Sequence, residues 1–349
     1  MTDLVQTATW QEIHVQPDIW RAWGADFDLQ GLRQWVAALP VDEVWLCGAG
    51  TSAYIGDIIA AALEGRQGAR LRAVATTDIV ARPQAFLRGA PKLVISFGRS
   101  GNSAESIGLL DAVDALAPHW PRLNITCNAQ SHLATRAGCK TVILPEGCHD
   151  AGFAMTASFS TMLLSALSIL DTNAPTSLWP RLADDLQVLL PHYAAQAALQ
   201  RRPQRAVFLG TGALTYAARE AALKVMELSA GQIPALWESA LGFRHGPKSF
   251  VTDGTDIWLF SSFDAHARAY EDDLAAEISA QFPLCGLHRP QLPNAYPDGW
   301  AAPLYVAQAQ VLAAHWSHAL GLMVDDPFAG KGTLTRVVAN VRLHKVAAP

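Results

Sequence analysis

Apolar positions recur at helical spacing from residue 9 to residue 40, with Trp10, Trp20, Trp23 and Trp35 as large anchors. The pattern then changes. Short apolar runs alternate with amphipathic stretches: "EVWLCG" precedes "AYIGDIIAAALEG", "ARLRAVAT" and "KLVISF" precede "SAESIGLLDAVDAL", and "RLNITCN" and "CKTVIL" follow. Runs of that length read as buried strands, and strands alternating with helices predict a parallel sheet covered on both faces. The proline-bearing stretch 171–182 reads as a linker, with a helix after it at 183–200. The alternation restarts at "RAVFLGTGALTYAAREAALKVMEL". Laid on "LCGAGTSAYIG", this second stretch places Gly210, Gly212 and Tyr216 on Gly48, Gly50 and Tyr54, each pair 162 residues apart. Strand, Gly-x-Gly turn and helix therefore occur twice, which predicts a duplicated α/β unit. The expected organisation is a helical segment at 1–40, a first α/β domain at 41–171, a linker with its helix at 172–200, and a second α/β domain at 201–349.

Composition narrows the function classes. The chain has 349 residues, half of them hydrophobic and only 16% charged, so most of it should be packed. A formal net charge of -5 exerts no general pull on nucleic acid or an anionic membrane, so an anionic ligand has to be held by local groups. The five cysteines form no C-x-x-C pair and match no common zinc spacing, so reduced thiols and no metal are expected. The N-terminus is polar and carries acids, unlike a signal peptide. The most apolar stretch, Phe153 to Leu170, is interrupted by six hydroxyl residues and reads as a buried core helix rather than a membrane span. A soluble, cytoplasmic chain is the expectation.

Four features could carry chemistry. The loop Gly50-Thr51-Ser52 fits a relaxed dinucleotide fingerprint, but its two hydroxyls are not needed to turn tightly around a pyrophosphate. A second loop, "SFGRSGNSAES", places Arg99, Ser100 and Ser103 at the start of a helix. Free amides and a helix dipole favour an anion there, and a guanidinium matches phosphate oxygens. A solvated arginine beside a serine cap is the plain alternative. Third, Glu220, Lys224 and Glu227 stack on one face of an otherwise apolar helix, which points into a polar cavity or a subunit interface, with a surface ion pair as the plain alternative. Fourth, His245 lies between turn formers in "GFRHGPKS", a setting from which an imidazole can move protons near neutral pH.

Six ordered stretches, "TWQEIHVQP", "ISFGRSGNSAES", "FAMTASFSTMLL", "ALKVMELSAG", "GFRHGPKS" and "GTLTRVVANV", resemble the sugar isomerase (SIS) family. The resemblance is nearest to its galactosamine-6-phosphate deaminase / tagatose-6-phosphate ketose-aldose isomerase branch. It implies an α/β fold of two tandem SIS domains, each a parallel β-sheet sandwiched between α-helices, and a homodimer or dimer of dimers that shares active sites. It implies that Gly50, Thr51, Ser52, Ser100 and Ser103 hold a sugar 6-phosphate. Glu227 matches the proton-shuttling glutamate, Lys224 the lysine one turn earlier and Glu220 the acid before that. His245 matches a ring-opening histidine supplied by the neighbouring subunit. Arg336 stands where the family has an active-site lysine; arginine keeps its charge and forms no imine, leaving positioning or charge stabilisation. No cofactor is implied. The expected activity is deamination and isomerisation of galactosamine 6-phosphate, beside glucosamine 6-phosphate deamination, isomerisation of a nitrogen-free sugar phosphate, or non-catalytic sensing.

Overall fold

The computed structural model describes residues 3–66, 68–338 and 341–346. Three helices open the chain: α1 (Ala8–His14), α2 (Gln16–Asp26) and α3 (Leu29–Ala37). The first α/β unit runs β1 (Glu43–Cys47), α4 (Thr51–Ala62), β2 (Arg70–Ala73), α5 (Thr76–Ala81), α6 (Pro83–Phe86), β3 (Leu93–Gly98), α7 (Ala104–Leu116), β4 (Arg122–Thr126), α8 (His132–Thr135) and β5 (Lys140–Ile143). Two long helices, α9 (Ala157–Leu170) and α10 (Leu178–Leu199), lead to the second unit. That unit contains β6 (Arg205–Gly210), α11 (Ala213–Leu228), β7 (Ala235–Ser239), β8 (Thr255–Leu259), α12 (Ala265–Gln281), β9 (Gly286–His288) and α13 (Asp298–Ala319). Helix α10 begins five residues earlier than the sequence reading placed it. Pro180 falls in its first turn, where no backbone amide donor is required.

All strand pairings are parallel, in the orders β2-β1-β3-β4-β5 and β7-β6-β8-β9. Both sheets therefore reverse direction between their first and third strands. A doubly wound sheet leaves its ligand crevice at that point, outside the carboxyl ends of the strands. The duplicated turns agree in detail. Gly50 and Gly212 have φ of +57° and +56°, and each opens its helix. A side chain at Gly48 would lie 2.3 Å from the Ser52 backbone, and one at Gly210 would lie 2.4 Å from the Leu214 carbonyl.

The two units meet through α4 and α11, which pack on each other, and α11 packs along the largely buried α13. Asp57 and Arg219 occupy equivalent positions in the two halves and pair across this joint at 2.9 Å. The Arg219 guanidinium also lies 4.1 Å from the centre of the Tyr54 ring. The ion pair is partly exposed and adds at most about 1 kcal/mol. Each buried leucine, isoleucine or valine of the shared core contributes about 1.5–3 kcal/mol, so apolar burial holds the joint.

Helix α9 is the apolar stretch with the interrupting hydroxyls, and it is buried in the core. Three of its hydroxyls take indole partners. Ser160, Ser165 and Ser168 accept from the indole N–H groups of Trp20, Trp23 and Trp179 at 2.9–3.1 Å. These tryptophans thus bury large rings and satisfy hydroxyls of an apolar helix at once. Among the described residues no helix is long and apolar enough to cross a membrane.

The end of the chain does not stay with the second unit. The Ala104 amide at the start of α7 donates to the Val338 carbonyl at 3.0 Å, and Val346 packs against the Trp45 and Val94 cluster of the first unit.

Candidate active site

The loops after β1 and β3 converge at the switch point of the first sheet, as parallel strands in this order require. Between them lies a cavity of about 350 Å³, within the range of small-molecule clefts. Gly50, Thr51, Ser52, Arg99, Ser100 and Ser103 line one side of it. Glu227 of α11 and the segment Leu334–Val338, with Arg336, line the other. Two of the roomier hollows, of about 740 and 510 Å³, carry Asp57, Glu64 and Glu238 or Asp264 and Asp298 on their walls, which would repel an anion.

The charged stripe on α11 is not a surface ion pair. Glu220 and Lys224 are fully buried, whereas Glu227 opens into the cavity with 23% of its side chain exposed. Lys224 Nζ lies 2.5 Å from Glu227 Oε2, 3.3 Å from Glu220 Oε1 and 3.0 Å from Thr51 Oγ1, to which it donates. The Thr51 hydroxyl in turn donates to Glu220 Oε1 at 3.1 Å. One ammonium therefore serves two carboxylates and a hydroxyl brought from the other half of the chain. Burial, with Glu227 alongside, pushes Glu220 up to about 7, against the pull of Lys224. The two carboxylates raise the Lys224 pKa, overcoming the desolvation that opposes them, and hold the amine charged.

The hydroxyls divide into two groups. The Thr51 hydroxyl is committed to Glu220 and Lys224, and Ser103 caps α7 by accepting from the Ser106 amide at 3.2 Å. The Ser52 hydroxyl has only a long contact, 3.9 Å to Met155 Sδ, and Ser100 accepts from the Asn102 amide at 3.3 Å.

The two arginines make a different kind of contact. Arg99 is 6% exposed and donates through Nη1 to the carbonyls of Gly152, Phe153 and Ala154 at 3.1–3.4 Å, and through Nη2 to the carbonyl of Arg336 at 3.1 Å. Arg336 reaches the same segment, donating from Nε to Gly152 at 3.2 Å and from Nη2 to the Asp150 carbonyl. His245 is exposed on the loop after β7 and is not among the residues lining the cavity.

Glu12 escaped the sequence reading, although it lies in the quoted stretch "TWQEIHVQP". Its carboxylate accepts from the Ala151 and Gly152 amides at 2.5 and 3.2 Å. Burial first, then the Asp150 charge, pushes its pKa up to about 7. A carboxyl with a raised folded-state pKa keeps a proton that the unfolded chain releases, so its stabilising effect is present below pH 4.5 and lost as pH rises through 7. Glu12→Gln should therefore flatten the fall in melting temperature between pH 5 and pH 8. A profile as steep as that of the unaltered protein would rule Glu12 out as its source.

No family model matches the chain. It is 36% identical over 355 residues to the D-galactosamine-6-phosphate deaminase AgaS of Shewanella sp. (strain ANA-3), covering 96% of this chain and 91% of that protein. It is 37% identical over 370 residues to the D-galactosamine-6-phosphate deaminase AgaS of Escherichia coli, covering 97% and 96%. Among solved structures, tagatose-6-phosphate ketose/aldose isomerase from Escherichia coli superimposes with a TM-score of 0.88 at 33% identity, over 98% of both chains.

Proposed function

The chain belongs to the AgaS branch of the sugar isomerase (SIS) family, and from that premise we propose that it converts D-galactosamine 6-phosphate and water into tagatose 6-phosphate and ammonia. The observation that carries this reading is the buried Glu220–Lys224–Glu227 row, which ends on a partly open carboxylate in a hydroxyl-lined cavity.

In this proposal Ser52, Ser100 and Ser103, with the amino ends of α4 and α7, hold the phosphate. Thr51 links that cradle to the charged row. Phosphate binding fixes the sugar relative to Glu227 and lowers the entropic cost of reaching the reactive geometry. His245, supplied by a second copy of the chain, moves a proton between the ring oxygen and the anomeric hydroxyl so that the pyranose opens to the aldehyde. Glu227 takes the C2 proton, giving an enolamine, and returns a proton to C1. The product of that transfer is an imine at C2. Water adds to C2, and the carbon–nitrogen bond breaks to release ammonia and leave the ketose. Lys224, held charged by its two carboxylates, acts on the reaction through Glu227, and Arg336, which lines the cavity, stabilises negative charge on the open-chain oxygen, a contribution worth several kcal/mol.

The test is incubation with galactosamine 6-phosphate and, separately, glucosamine 6-phosphate, assaying ammonia and ketose independently. Equal amounts of ammonia and ketose from the galacto substrate are expected. No ammonia from either substrate overturns the proposal. The solved ketose/aldose isomerase favours one rival, isomerisation of a nitrogen-free sugar phosphate. Ketose formed only from nitrogen-free aldoses would establish it.

A further inference from the structure

Arg99 follows the last residue of β3, inside a loop whose sequence reads as a phosphate cradle. Its hydrogen bonds describe another task. Among the described residues all the hydrogen-bond partners of its guanidinium are backbone carbonyls: three in the run 152–154 and one in the C-terminal segment, at Arg336. The Gly152 carbonyl accepts from both Arg99 Nη1 and Arg336 Nε, so the two guanidinium groups share one peptide oxygen. On its other edge the same run is gripped by a carboxyl group, with Glu12 accepting from the amides of Ala151 and Gly152. Phe153 donates its amide to the Asp325 carbonyl, which joins the run to the chain beyond α13. Segment 150–154 is thus a peptide ribbon whose carbonyls face two cations and whose amides face an acid.

The ribbon is also where the C-terminal segment is attached. Leu334–Val338 forms one wall of the cavity, and its position depends on the Arg99 bond to the Arg336 carbonyl, the Arg336 bonds to the ribbon, and the Ala104 bond to Val338. A planar fork fixes donors at both of its ends and so spans the gap between two backbone segments, whereas the three donors of an ammonium all sit at one point. We propose that Arg99 is a positioning residue that locks the 334–338 segment over the cavity and thereby places Arg336, rather than a ligand of the substrate phosphate. The part of this inference that concerns turnover rests on the deaminase reading above; the locking of the segment does not.

The Arg336–Val337 peptide bond supplies a direct readout, because trypsin has to draw the Arg336 carbonyl away from Arg99 to cut there. Arg99→Gln retains a donor but lacks the reach and the second end of the fork. Its cleavage after Arg336, followed by mass, should be faster by about tenfold or more. Cleavage after Arg201, in an exposed stretch between α10 and β6, should keep its rate and reports any general loosening of the fold. Affinity for inorganic phosphate should stay within about twofold of the unaltered protein, since a positioning residue does not touch the ligand. Arg99→Lys keeps the charge and should leave the segment as open as Arg99→Gln does.

With galactosamine 6-phosphate, Arg99→Gln should lower kcat with little change in KM, and the double variant with Arg336→Ala should be no slower than Arg336→Ala alone. Unchanged cleavage after Arg336 overturns the proposal. A phosphate affinity about tenfold weaker, restored by Arg99→Lys, also overturns it and makes Arg99 a phosphate ligand. If the chain releases no ammonia from amino sugar phosphates, the deaminase reading fails while the trypsin result still decides the role of Arg99.

Discussion

Glu227→Gln should bind sugar phosphate as well as the unaltered protein does and lose kcat by roughly 10²–10⁴-fold, the range that a positioned general base supplies. Glu227 is the member of the row that opens into the cavity, while Lys224 and Glu220 are sealed behind it. Glutamine has nearly the same shape and still accepts from Lys224, so packing and the lysine contact survive. It cannot accept a carbon-bound proton. The decisive measurement is exchange of the C2 proton with deuterated water, followed by NMR on bound sugar phosphate. Retained exchange would remove Glu227 from the role proposed for it. The same variant tests whether sites are shared. His245 is exposed and is not among the residues lining the cavity, so mixing Glu227→Gln with His245→Asn subunits should restore part of the activity that each lacks alone. Failure of every mixture, with mixed oligomers verified by mass, would place both residues in one chain's chemistry or remove His245 from it.

Lys224→Met should destabilise the fold by about 3–5 kcal/mol at neutral pH, the cost of leaving a buried charge without its partner. Methionine fills nearly the same volume, so lost packing is a minor part of that cost. Without the ammonium, Glu220 is left fully buried beside Glu227, and its second oxygen already has no hydrogen-bond partner among the described residues. The carboxyl escapes by holding its proton. Its folded-state pKa then exceeds the unfolded value, so the loss in Lys224→Met is small near pH 4 and grows as pH rises. Urea unfolding at pH 5 and pH 8 measures the difference. Adding Glu220→Gln to Lys224→Met should recover much of the stability at pH 8, because the buried carboxylate is then gone. A loss independent of pH, and not relieved by Glu220→Gln, would show that Lys224 acts mainly by filling space.

Local pattern carried far in this chain. The parallel sheets, the repeated Gly-x-Gly turns and the burial of α9 follow from strand length, spacing and composition, each a property of a few consecutive residues. The stripe Glu220, Lys224, Glu227 was legible for the same reason, since helical periodicity places the three on one face. What that face meets was not legible. The stripe is completed by Thr51, whose bond to Glu220 spans 169 residues of sequence and exists only because α4 and α11 pack together. Arg99 makes the contrast plainer. In sequence it stands in a serine-rich loop and reads as a phosphate ligand. In the folded chain its charge is taken up by carbonyls at 152–154 and, 237 residues away, at Arg336. Glu12 gave no local signal at all, because an acid on a short helix is ordinary until an amide pair 139 residues distant is brought to it.

By itself, then, the sequence determined the two α/β units, the hydroxyl loops at their switch point and the charged row on α11. Periodicity and turn chemistry act over one or two turns of chain, so they can be read without knowing the fold. Only the tertiary structure decided which charges face the cavity and which are spent on the backbone. A guanidinium or carboxylate takes whichever unsatisfied groups the closed chain presents, and the packing of helices and the return of the C-terminal segment settle which groups those are.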